Sequence, residues 1–119
     1  MKILISDANL HNRRNLASFL LAEGMNVIGE AASTRETLVM TRARSADIVI
    51  LDSNFTHLIS ALLATQKAPK IILLMTSHDA ALEEEGLEAG AFACLAKNDG
   101  VDPIINTIQN IHLSIGEKS

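Results

Sequence analysis

The stretch DIVILDSNF, residues Asp47 to Phe55, decides how this chain is read. Asp47 opens it, four aliphatic residues follow, and Asp52 stands where the strand should end. A continuous apolar run, with no alternation toward water, is the pattern of a strand covered on both faces of a parallel sheet. Four further short runs accompany it: KILIS (Lys2–Ser6), NVIGEA (Asn26–Ala31), KIILLM (Lys70–Met75) and AFACLA (Ala91–Ala96).

Helical segments fill the intervals. Leu10–Glu23 places Leu16, Phe19 and Leu20 on one face and stops at Gly24. Ser33 with Glu36 is a capping box for a second helix that runs to about Arg44. His57–Gln66 is a short third helix closed by Pro69. Ala80–Ala89 is a fourth, acidic on one side and stopped by Gly90. Asp102 followed by Pro103 reads as an N-cap and first helical position. Ile104, Ile108, Ile111 and Ile115 then line one face of a fifth. The pattern is an α/β domain over residues 1–119, (βα)5, with right-handed crossovers and helices on both faces of a five-stranded parallel sheet.

Composition narrows the function classes. The 119 residues are 48% hydrophobic but hold only three Phe and no Trp or Tyr, so the core is aliphatic. A net charge of −4 with no basic block argues against direct nucleic-acid contact by this domain. No apolar run approaches the ~20 residues of a membrane span. The start MKILISDANL puts Asp7 where an export signal needs an apolar centre. Cys94, the single cysteine, has no partner for an internal disulfide, so a cytoplasmic location is the simplest expectation.

In open parallel sheets, chemistry sits at the carboxyl ends of the strands. The first strand delivers Asp7 there, the third Asp52, the fourth Thr76 and Ser77, the fifth Lys97. Each alone reads as a solvated loop residue. Together they form a compatible set, because paired carboxylates disfavour each other's ionisation unless a cation is shared. Lys97 or a divalent metal could be that cation. Thr76 reads equally well as a turn hydroxyl. Ser77 and His78 read as loop residues, Glu83–Glu85 as a solvated face, and Cys94 as a small packed hydrophobe. His11, His57 and His112 lack metal-ligand spacing.

The succession of Asp7, Asp52 after DIVIL, Thr76 after KIILLM and Lys97 after GAFACLA resembles the receiver domain of bacterial response regulators over essentially the whole chain. GAFACLAK is especially similar to receivers that precede a LuxR-type helix-turn-helix. The resemblance implies a flavodoxin-like sheet of strand order 2-1-3-4-5. It implies a phosphoryl acceptor at Asp52, served by a histidine kinase or phosphotransfer protein, and no enzymatic activity. It also implies Mg²⁺ held by Asp7, Asp52 and the Asn54 carbonyl, with Thr76 and Lys97 binding the phosphoryl group.

The departures from the family pattern fall on the phosphorylation machinery. Ala8 stands where a second acid is usual, so Mg²⁺ binding should be weak. The segment SNFTHLISALLATQK after Asp52 is several residues short, so the third helix should be stunted. Cys94 replaces an aromatic that swings inward on activation. Two readings therefore stand: a switch phosphorylated at Asp52, and a phosphate-indifferent pseudo-receiver used for interaction or dimerisation. A homodimer is expected through the fourth-helix, fifth-strand and fifth-helix face, using Leu82, Leu87, Cys94, Ile105 and Leu113. A flavin carrier would need a phosphate loop that DANLHN does not supply, and DSN lacks the second acid of an aspartyl phosphatase.

Overall fold

The computed structural model describes residues 1–117, with side chains through Ser114; the expectation for Ile115 lies outside the described side chains. The five strands are β1 (Lys2–Ser6), β2 (Asn26–Ala31), β3 (Ile48–Asp52), β4 (Lys70–Met75) and β5 (Ala93–Ala96). They form one parallel sheet in the order β2-β1-β3-β4-β5. The helices are α1 (Leu10–Ala22), α2 (Thr34–Arg44), α3 (Ile59–Leu63), α4 (Ala80–Ala89) and α5 (Asp102–Glu117). The fold is the doubly wound architecture expected from the alternation of runs and helices.

Strand alternation divides the core into two. Ile3 and Ile5, Ile48 and Ile50, and Ile72 and Leu74 point to one face, where Ala17, Leu20, Ile104, Ile108 and Ile111 cover them. Leu4, Val49 and Leu51, and Ile71 and Leu73 point to the other, under Leu58, Ile59 and Leu62. Each such side chain, fully buried, contributes about 1.5–3 kcal/mol. The central strands are continuously apolar because both sides of each are inside.

Several boundaries differ from expectation. Phe19 is 57% exposed and off the core stripe, which is Leu16, Ala17 and Leu20. At 100° per residue Phe19 sits on the flank of α1, beside the groove toward α5. The third helix is more stunted than the His57–Gln66 expectation: a 3-10 stretch at Ser53–Leu58 precedes the five residues of α3. β5 begins at Ala93, not Ala91. Asp102 lies inside α5, and Val101 takes the cap position, its carbonyl accepting the Ile105 N–H at 3.0 Å. The capping box of α2 is present in a shifted form. Ser33 Oγ accepts from Glu36 N–H, while Glu36 Oε1 accepts from Ala32 N–H, one residue before the cap.

Two close fits fix the layers. A Cβ added at Gly86 would lie 2.6 Å from Leu73 Cδ2 and 3.0 Å from Cys94 Sγ, so only glycine lets α4 sit this near the sheet. At the amino edge of the sheet, Asp47 accepts the Lys2 N–H at 2.7 Å and pairs with Lys67 at 2.7 Å. Its backbone also bonds to Lys2 and Lys70, so one residue ties together the starts of β1, β3 and β4.

Gly86→Ala gains about 1 kcal/mol of helix propensity. Overpacking against the fully buried Leu73 costs about 1–3 kcal/mol, so the variant should be less stable in urea unfolding; a stabilised variant would mean that α4 or Leu73 is free to shift. For Asp47, burial alone would raise the pKa, but the Lys2 amide and the Lys67 ammonium outweigh it and hold it below the usual value. A depressed carboxylate stabilises above its unfolded pKa, about 3.9, and loses that contribution as pH falls through its folded pKa. Asp47→Asn should cost about 1 kcal/mol at neutral pH and flatten the acid limb of a stability-versus-pH curve below about pH 4.

Candidate functional site

Three of the expected residues meet at the carboxyl edge of the sheet. Asp7 follows β1, Asp52 ends β3, and Lys97 opens a 3-10 turn at Lys97–Asp99 directly after β5. Lys97 Nζ donates to Asp7 Oδ2 at 2.8 Å and to Asp52 Oδ1 at 2.5 Å. Both carboxylates are buried, Asp7 at 8% and Asp52 at 5% exposure, so the ammonium is their local counter-charge. The other oxygens are also engaged: Asp7 Oδ1 accepts the Asn9 N–H at 2.9 Å, and Asp52 Oδ2 the Asn54 N–H at 3.0 Å. Burial alone would lower the Lys97 pKa; the hydrogen bonds and charges of Asp52 and Asp7 outweigh it and hold it above the usual lysine value.

The remaining candidates stand apart from this trio. Thr76 and Ser77 are exposed in the loop after β4, with no described hydrogen bond to either carboxylate. Asn54 is exposed and enters through its backbone, in a turn closed by Asp52. Ala8 is exposed next to Asp7 and offers no oxygen from its side chain. Among the described residues, no three His, Cys, Asp or Glu side chains are grouped as metal ligands. Two carboxylates still suit Mg²⁺, which retains several waters and needs only one or two protein acids.

Cys94 is half-buried beneath α4, its Sγ 3.7 Å from the Glu83 carbonyl. Burial pushes its thiol up, and the Glu83 charge adds to the effect, so this is a protonated packing group.

Structure adds pairings that the sequence did not announce. Arg13 Nη1 donates to the Asp7 carbonyl at 2.9 Å while Nε pairs with Glu30 at 3.0 Å, bracing the loop after β1. His78 and Asp99 meet at 2.7 Å and join the loop bearing Thr76 to the turn bearing Lys97. No local pattern announces either pair; their partners are 17 and 21 residues away. A cavity of about 220 Å³ opens between α1 and α5 below the trio, with Leu16, Phe19 and Ile104 on its apolar walls.

The chain is similar to known proteins over most of its length. The model of the response regulator receiver domain family matches residues 3–109. The transcriptional regulatory protein LnrK of Bacillus subtilis (strain 168) is 31% identical over 118 residues, covering 94% of this chain and 54% of that protein. The chain thus spans about half the length of this curated relative. Among solved structures, the signal receiver domain of the response regulator NarL from Mycobacterium tuberculosis superposes with a TM-score of 0.84 at 20% identity, covering 92% of this chain and 93% of that one. A CheY-like receiver domain protein from Methanospirillum hungatei JF-1 gives a TM-score of 0.87 at 19% identity, covering 99% and 98%. Those two likenesses speak to the fold; the family match, running nearly the length of the chain, places this protein among the response regulator receiver domains.

Proposed function

We propose that this receiver accepts a phosphoryl group on Asp52 and passes the signal to a partner or to a DNA-binding output. The observation that carries the reading is the buried pair Asp7 and Asp52 joined by Lys97 at the carboxyl edge of the sheet. An Asp52 oxygen attacks the phosphorus of a phosphohistidine on a histidine kinase or phosphotransfer protein. The P–N bond breaks, its electron pair returns to the imidazole, and an aspartyl phosphate remains. Lys97 then pairs with the new phosphoryl oxygens, and the exposed Thr76 hydroxyl can close on them. When bound, Mg²⁺ neutralises the incoming phosphoryl charge. Asp7, Asp52 and the Asn54 carbonyl would hold it, weakly, because Ala8 adds no carboxylate. The chain is the substrate of its partner, not an enzyme. It works in the cytoplasm; no described helix is long and apolar enough to cross a membrane.

Output through phosphate-independent pairing is favoured by one specific observation. Cys94 is packed under Gly86 and cannot perform the inward swing of an aromatic, so the link from Asp52 to the outer face is weakened. We propose a homodimer through α4, β5 and α5. Leu87 at 46% and Leu113 at 61% exposure are its apolar contacts. Leu82 and Ile105, expected there too, are half-buried, and Ile105 packs against the core. Exposed apolar side chains on a small domain can mark interaction, and two-fold pairing is the commonest closure.

A small phosphodonor with Mg²⁺ should add one phosphoryl group by intact mass, and Asp52→Asn should remove the addition. Wild-type protein that stays unmodified at high donor and metal would leave only the pseudo-receiver function. The proposed dimer brings Glu84, Glu85 and Glu88 of two copies together, since these acids are exposed on α4. Its association in sedimentation should therefore strengthen with salt, ignore phosphodonor, and be lost in Leu113→Glu with Leu87→Glu. A strict monomer at high concentration would remove the dimer.

A further inference from the structure

The end of β1 carries a polar contact inside an otherwise aliphatic layer. We propose that the buried hydroxyls of Ser6 and Thr37 are positioning groups: they pin the last residue of β1 to α2 and thereby aim Asp7 at Asp52 and Lys97. The inference deepens the acceptor reading of Asp52 and rests on it.

Ser6 is 1% exposed and Thr37 is fully buried, and their hydroxyl oxygens lie 2.5 Å apart. The direction of the bond follows from the neighbouring partner. Thr37 donates its one hydroxyl proton to the Ser33 carbonyl at 2.7 Å, so its oxygen accepts and Ser6 donates. Ser33 is the N-cap of α2, and its side chain accepts the Glu36 N–H. A row of hydrogen bonds thus runs from the tip of β1 to the first turn of α2. The layer between sheet and helices is otherwise built of Leu4, Val49, Leu51, Leu58 and Leu62. An apolar pair in place of the two hydroxyls would fill it as well. Removing both partners of a buried hydrogen bond is nearly neutral, whereas removing one leaves the other unsatisfied. Core packing therefore does not account for the hydroxyls. A directed bond adds what apolar contact lacks, a fixed distance between one atom of β1 and one atom of α2.

Placement gives that fixed distance a use. Side chains alternate along β1, so Ser6 faces α2 while Asp7, the next residue, faces the opposite side and lines the cavity with Asp52 and Lys97. Pairing with β3 ends at Ser6 and Leu51, one residue short of both acids. On the β2 side the register shifts: Ile3 pairs with Val27 but Leu4 with Gly29, so Ile28 is an extra residue. A bulge of this kind disrupts the ladder locally and re-aims what lies beyond it. Asp7 thus leaves the sheet at the end of one ladder and past an irregularity in the other. Three contacts hold it there. Its N–H donates to the Ala31 carbonyl at 3.0 Å, its own carbonyl accepts from Arg13 at 2.9 Å, and Ser6 is tied to Thr37. The first two bind the strand end to β2 and α1; the third binds it to α2.

Ser6→Ala, Thr37→Ser and the double variant Ser6→Ala with Thr37→Val test the pin through three readouts. These are the urea midpoint, the ¹³C carboxyl signal of Asp7 at neutral pH without metal, and the rate at which a small phosphodonor with Mg²⁺ labels the protein by intact mass. The double variant should keep a midpoint close to wild type, yet show a displaced Asp7 signal and labelling about tenfold slower, because small misplacements at a reacting site are costly. Thr37→Ser keeps the hydroxyl and should match wild type in both signal and rate. A double variant with the wild-type signal and rate would overturn the proposal, and so would a displaced signal with an unchanged rate. A Thr37→Ser protein as slow as the double variant would also overturn it. Should the double variant not fold, Ser6→Ala decides on the same readouts, since Thr37 keeps its bond to Ser33 there. Wild-type protein that takes no phosphoryl group would end the acceptor reading; the Asp7 signal then decides for the pin, and an unmoved signal in Ser6→Ala would overturn it.

Discussion

A parallel sheet with helices on both sides leaves its central strands no wet face. This constraint governs the rest of the molecule. β1, β3 and β4 each send alternate side chains into two separate cores, and both cores are aliphatic. Side-chain polarity is thereby driven to the strand ends. At the amino edge, Asp47 joins three strand starts; at the carboxyl edge, Asp7 and Asp52 emerge side by side.

Two carboxylates brought together by the backbone and buried must be compensated. Lys97 does this from the end of β5, across the intervening β4, and its own burial is tolerated because it serves both acids. The same contact that stabilises the resting domain occupies the site proposed for phosphoryl transfer, where both carboxylates and the ammonium meet. With alanine at position 8, the lysine has two carboxylates to compensate and not three.

The outer face follows from a different close contact. Gly86 lets α4 settle onto Leu73 and Cys94, which fills the space where a larger side chain would need room to move. A receiver packed this way keeps the Asp7, Asp52 and Lys97 cluster but has no aromatic at position 94. The proposed steady association, with Leu87 and Leu113 exposed, is the physical counterpart of that packing.

The sequence by itself determined the strands, the order of elements and the residues that face the carboxyl edge. These depend on local pattern: apolar runs, a Ser33–Glu36 cap, glycines at helix stops. Asp7, Asp52 and Lys97 were legible because a charged residue directly after a buried run has only one edge to go to. Tertiary structure alone decided which of the edge residues touch. Thr76 remained in solvent while Lys97 reached both acids, Phe19 left the core for the flank of α1, and Arg13 and His78 found partners far along the chain. The reason is physical. Periodicity fixes which way a side chain leaves its own element, whereas the reach of a long side chain and the identity of its partner depend on how neighbouring elements are set, which no local pattern encodes.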